Sequence, residues 1–232
     1  MKYELVNEDI IVHNGVECVR IRATEHFGDV KKGDLGGYLA RTAYLSATGS
    51  CWLYDSAVLG DGGSLTLNAT VRGYSIIEHA IINGVVEINN SKIIGTSTNS
   101  CLLNKAAYIS DSTIEQGAYV SGDVILSNVK CGCNVRITGN ACVYDSVLHP
   151  NINIWQNVIV DNSVIGCSIP PWSTVSDSVI DHSVVINKPA HIRDSNLFDN
   201  CIINCHNVRV YGYVSSKAPD IIQTDYVGTN KK

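Results

Sequence analysis

The sequence predicts an all-β chain wound as a parallel β-helix, and three observations carry that prediction. From Cys101 onward the chain reads as triplets of a small or aliphatic residue, any residue, and an aliphatic residue: CLL, AYI, STI, AYV, VIL, VKC, VRI, ACV, SVL, INI, VIV and SVI. Their first residues, from Cys101 to Ser163, advance in steps of 6, 5, 6, 6, 5, 6, 6, 5, 6, 6 and 5, so three triplets always close on 17. The residues between triplets are rich in Asp and Asn, which return at that same interval of 17. An inward, outward, inward triplet is a short strand. Three such strands joined by polar corners make a triangular coil, and coils of one sequence pattern stack as parallel strands. About ten coils at ~4.8 Å each give a rod of roughly 50 Å.

The elements follow in chain order. Residues 1–42 do not repeat, and KYELV, DIIV and VECVRIRA read as short antiparallel strands with an Asn14-Gly15 turn joining the last two. They are expected to cap the open end of the helix, whose first ladder is otherwise an unpaired edge. The β-helix spans 43–214, with triplets starting at Cys51, Ala57, Gly63, Ala69, Ser75, Ala80, Val86 and Ser91. The long step from Ser91 to Cys101 makes GTSTNS at 95–100 a small bulging loop. CSIPPW at 167–172 disturbs one coil, because proline cannot donate to a ladder. The period resumes at Ser178, Val184, Ala190, Ser195, Cys201 and Val208, and the polar stretch 215–232 is read as an extended tail.

Asp and Asn tolerate the left-handed backbone of a tight corner. One corner is assigned Asp111, Asn128, Asp145, Asn162, Asp177 and Asp194; a second Asn134, Asn151 and Asn200; the third Asp123, Asn140, Asn157 and Asn207. This ladder is structural. A net charge of −5 is far too sparse to imitate a nucleic acid.

Composition narrows the function classes. With 45% hydrophobic and 17% charged residues the chain is globular. No apolar run approaches the roughly 18 residues of a membrane span, and MKYELVNEDI lacks the apolar core of a signal peptide, so the cytoplasm is the expected location. Nine cysteines, an odd number, read as buried thiols. Cys131-Gly-Cys133 and Cys201-x-x-x-Cys205 lack zinc-site spacing. The basic residues are scattered, so neither nucleic acid nor membrane is an expected partner.

The triplet pattern over 43–214 resembles the hexapeptide-repeat family, and left-handedness is implied by that resemblance alone. FGDVKKGDLGGYL at 27–39, followed by GSCWLYDSA at 49–57, is similar to the entrance of uncharacterised enteric and phage or prophage members. Its glycines match neither GxxxxGK[ST] nor GxGxxG, so the segment is read as a capping turn. Many members of the family are trimeric acyltransferases using coenzyme A or acyl carrier protein, with a corner histidine as general base. The resemblance thus singles out His149, in VLHPN, ahead of His79 and His182. A carbonic anhydrase would need three converging histidines, and no histidine pair lies one coil apart.

Two further features point to binding. Trp155 and Trp172 are 17 residues apart, which predicts stacked, outward indoles suited to a flat ligand or a partner's side chains. Outward positions form apolar stripes, Tyr108, Ile125, Cys142 and Ile159 on one face and Val147, Val164 and Val179 on the next. Such stripes suit a symmetric homo-oligomer, a trimer by resemblance. The leading expectation is therefore a non-enzymatic, oligomeric β-helix, by resemblance a phage or prophage accessory protein, that binds a host protein or small ligand through Trp155, Trp172 and His149, without a cofactor. The alternative is a coenzyme A-dependent acyltransferase with His149 as base.

Overall fold

The computed structural model describes residues 2–165 and, beyond them, 173–176, 178–180, 185–186, 190–193, 195–197, 202–203, 208–211, 221–222 and 226–227. All regular structure among these residues is β-strand, and the fold is a parallel β-helix of the left-handed type. No helix among them is long and apolar enough to cross a membrane. The chain divides into two compact units, Met1–Gly117 and Ala118–Lys232.

The first unit opens on a hairpin. β1 (Tyr3–His13) and β2 (Val16–Ala23) run antiparallel, closed by the His13↔Val16 pair. Asn14 and Gly15 lie between them with φ of 47° and 78°, the two positive values a tight hairpin turn requires. KYELV and DIIV are one strand, not two: the register runs from Val6↔Arg20 to Ile10↔Val19, so β1 bulges over Asn7–Asp9. The presumed capping turn at 27–39 is a turn followed by a strand, β3 (Leu35–Ala40). β3 pairs antiparallel with β2 and parallel with Val58–Leu59, so it converts the cap into the first coil. Its glycines are there for space. A Cβ on Gly36 would lie 2.6 Å from both Ile21 Cγ1 and Trp52 Cζ2, and one on Gly37 2.2 Å from the Ala57 carbonyl oxygen. The open end is closed by Lys2, 1% exposed, whose ammonium donates to the carbonyls of Cys51 (2.8 Å) and Gly49 (3.2 Å) and sits 4.9 Å from the Phe27 ring centre. A buried ammonium is tolerable only with such partners.

Three stacks fill this unit: Leu45, Leu65, Ile82 and Leu103; Leu53, Val71, Ile88 and Ile109; Leu59, Ile77, Ile93 and Ile114. Each column is one wall of the triangle. The second unit repeats the plan with Val120, Ile137, Ile154 and Val175, with Leu126, Val143, Val160 and Ile180, and with Cys131, Leu148, Ile165 and Ile186. Every first and third triplet residue from Cys51 to Ile165 is buried. In the five coils from Ala80–Asn89 to Ile152–Asp161 two triplets join into one long strand, such as Arg136–Tyr144, that bends at its middle.

The corners explain the recurring Asp-Ser phrase. Asp111, in the first unit, and Asn128, Asp145 and Asn162, in the second, have φ of 49°, 54°, 45° and 42°. The serine that follows such a corner is buried. The hydroxyls of Ser91, Ser112 and Ser163 donate to the carbonyl two residues back at 2.7, 2.6 and 2.6 Å, and Ser146 does the same to Tyr144. The same oxygen accepts the amide of the serine one coil on: Ser112 on Ser91 at 3.0 Å, Ser163 on Ser146 at 3.1 Å. Asn134 and Asn151 turn their assigned corner with φ of 58° and 64°. The third corner is corrected. In the second unit its left-handed residues are Gly122, Gly139 and Gln156, with φ of 128°, 94° and 67°, not Asp123, Asn140 and Asn157. Coils touch there through backbone, since a Cβ on Gly122 would lie 2.3 Å from the Gly139 carbonyl oxygen. Asn140, one residue past the bend, instead donates to Asn157 at 3.1 Å.

Loop 95–100 is closed by reciprocal Thr96 and Asn99 amide bonds of 3.1 Å. Beyond Ile165 the interval changes: Ile152 pairs with Ser173, 21 positions on, before steps of 17 return with Val175↔Ile192. The stretch expected to be a tail carries strands Ile221–Ile222 and Tyr226–Val227, paired with Ile202–Ile203 and with Val210–Tyr211, so pairing runs past residue 214.

Candidate functional site

The most chemically equipped corner of the first unit surrounds His79. It is the last residue before strand Ala80–Asn89 and takes the left-handed backbone, φ 42°, that glycine supplies one coil earlier at Gly62 (φ 60°). Its amide donates to the Asp61 carbonyl at 2.8 Å, and its Nε2 lies 3.5 Å from Asp61 Oδ2. The side chains are 27% and 43% exposed, so the pair is open to solvent and to a ligand. A Cβ on Gly62 would lie 2.3 Å from His79 Nδ1, so only a glycine lets the imidazole lie against this backbone. Loop 95–100 closes over the next coil, with the Cys101 amide on the His79 carbonyl at 3.1 Å.

Glu78 faces the cap. Its carboxylate lies 3.1 Å from His13 Nε2 and accepts from Asn14 Nδ2 at 3.0 Å, which ties the hairpin turn to this corner. Burial, with Glu78 adding to it, pushes the Cys18 thiol pKa up. A second polar cluster gathers Asp29, Tyr54 and Arg72. Tyr54 Oη donates to Asp29, and the Arg72 guanidinium lies 3.6 Å from the Tyr54 ring centre and 3.4 Å from Asp29 Oδ2. Burial and then the Asp29 bond lift Tyr54 to about 12, while the Tyr54 bond holds Asp29 below the usual carboxylate range.

The residues singled out from sequence scatter over the fold. His149 sits at a corner between Leu148 and Pro150, its amide on the Ile165 carbonyl at 3.0 Å. Among the described residues no carboxylate lies within ion-pair distance of its ring, unlike that of His79. Trp155 points outward, 37% exposed, but its partner in the next coil is Ser176, because the 21-residue step breaks the spacing of 17. Trp172 and His182 lie outside the described residues. Ile125, Cys142 and Ile159 form a continuous column in the second unit, with Ile159 46% exposed. Tyr108, 41% exposed, belongs to the first unit. Val147 and Val164 pair, but the next residue in that column is Val185; Val179 pairs with Ile159 in the other column. Asp61 was not foreseen as a partner. Its signal in the sequence is an acid and a histidine 18 positions apart, about one coil.

Among the described residues no group of three or more His, Cys, Asp or Glu side chains is placed to hold a metal ion. Fold and corner together define a parallel β-helix carrying an Asp–His pair at one coil corner. No protein-family profile matches the chain. Over 76 residues it is 33% identical to an uncharacterized acetyltransferase of Escherichia coli strain K12, YdcK, a match covering 32% of this chain and 23% of that protein. Among solved structures it is similar to the acetyltransferase domain of PglB from Neisseria gonorrhoeae FA1090, at 18% identity and a TM-score of 0.18, covering 60% of this chain and 54% of that one.

Proposed function

We propose that this protein is an acyltransferase in which His79 is the general base and Asp61 orients it. The observation that carries this reading is the Asp61–His79 pair at a coil corner, 3.5 Å apart. The partial match to a protein named as an acetyltransferase supports it and reverses the order of the two expectations drawn from sequence. An Nε2–H directed at Asp61 Oδ2, 3.5 Å away, would leave the ring's lone pair on Nδ1 for the acceptor. Nδ1 takes the proton of an acceptor hydroxyl or amine, and Asp61 stabilises the imidazolium that results. Acetyl-coenzyme A would supply the activated acyl group. The groups at this corner, Asp61, Glu78, His13 and Asn14, suit proton transfer at the thioester end rather than the nucleotide phosphates.

Thiol release from acetyl-coenzyme A, measured against a panel of amino and hydroxyl acceptors, tests this. His79→Ala should lower the rate by about 10²–10⁴, and His149→Ala should leave it unchanged. Full activity in His79→Ala ends the assignment.

One observation favours a second reading, an oligomeric binding protein. The Ile125, Cys142 and Ile159 column is an apolar stripe along the second unit. Ile125→Arg with Ile159→Arg should then shrink the particle in sedimentation velocity while β-sheet circular dichroism persists. A wild-type monomer at micromolar concentration would exclude it.

A further inference from the structure

A cavity of about 280 Å³ opens in the first unit between the start of β1 and the end of β3. Tyr3, Leu5, Leu39 and Ala43 wall it, and Glu4 and Arg41 stand among its lining residues. Tyr3 donates its hydroxyl to the Leu45 carbonyl at 3.2 Å, which leaves its ring as the wall. The two charges are not equivalent. Glu4 is matched by Arg22 at 3.4 Å, whereas among the described residues no carboxylate lies within ion-pair distance of the exposed Arg41. A half-open cleft with apolar walls on one side and an unmatched guanidinium at its edge favours an amphipathic anion.

Its position adds a second argument. Arg41–Ala43 precede strand Tyr44–Leu45, Asp61 and Gly62 precede Ser64–Leu67, and His79 precedes Ala80–Asn89, and these three strands pair in succession. Arg41, Asp61 and His79 therefore follow one edge, with the cavity two coils, roughly 10 Å at ~4.8 Å per coil, from the imidazole. We infer that this cavity binds a small molecule with an apolar body and a single carboxylate or phosphate, the anion on Arg41 and the body against Tyr3, Leu5 and Leu39. Its role as the acyl acceptor's site rests on the function proposed above; its anion selectivity does not.

Titration calorimetry on the full chain with 4-phenylbutyrate, phenyl phosphate and neutral 4-phenylbutanamide separates the cases. One of the two anions should bind saturably, and which one identifies the anionic group. The amide should bind at least tenfold more weakly. Arg41→Gln should weaken the anion at least tenfold, Ala43→Phe should abolish binding with its melting curve retained, and His149→Ala should bind as wild type does. Absence of saturable binding by both anions, or equal affinity of Arg41→Gln and wild type, overturns the inference. Anion binding without any acyl transfer would keep the site and discard the acyltransferase reading. Transfer without anion binding would do the reverse.

Discussion

Ser146 shows how much one hydroxyl carries in this fold. It donates to the Tyr144 carbonyl and accepts the Ser163 amide, and it is 2% exposed. Ser146→Ala strands a buried amide and should cost about 1–3 kcal/mol in urea unfolding. Ile137→Asp is harsher. Ile137 is fully buried between Val120 and Ile154, so an unpaired carboxylate there should abolish soluble folding, as expression and circular dichroism will show. A third residue-scale test uses pH. Tyr54 titrates near 12 folded and 10 in the ordinary range, so its contribution to stability is complete below pH 10 and is lost as pH rises through 12. Thermal melts between those values should fall less steeply in Tyr54→Phe, and ultraviolet titration of that variant should lack a tyrosine transition near pH 12.

At the scale of elements, corners decide which substitutions the coil tolerates. Gly139 has φ 94°, and a Cβ there would lie 2.7 Å from the Gln156 amide nitrogen and 2.8 Å from its Cα. Gly139→Ala should therefore lower stability by about 2 kcal/mol or more. Lys105 occupies the equivalent bend in the first unit at φ 68°, and Lys105→Gly should leave the melting temperature level or higher, since relief of the left-handed strain offsets the added chain entropy. Strand positions were legible because a triplet carries its own period of two. The bend at Gly122 and Gly139 was misplaced by one residue because Asn and Gly both suit left-handed backbone. Only the contact distance of stacked coils chooses between them. β3 was hidden for a related reason: LGGYLA reads as a turn until the closeness of Ile21, Trp52 and Ala57 gives its glycines a packing role.

At the scale of the molecule, β1 and β2 cover the β3 edge, and Lys2 closes the end of the first coil. Deleting residues 1–23 should expose that edge and produce aggregates in size-exclusion chromatography, because an unpaired parallel ladder templates further strands. A monodisperse, fully folded truncation would show that β3 needs no cap.

The amino-acid order by itself determined the parallel β-helix, the hairpin turn at Asn14-Gly15, the loop at 95–100 and the buried face of every triplet from Cys51 to Ile165, since each is written within a few residues or one coil. What only the tertiary structure decided lies across coils. The 21-residue step from Ile152 to Ser173 sets Ser176 beside Trp155, and a 20-residue step from Ile159 puts Val179 in that residue's column, shifts of register that no local pattern announces. The pairing of Asp61 with His79, and the unmatched Arg41 along the same edge, likewise arise from stacking, which brings together side chains that no local pattern links.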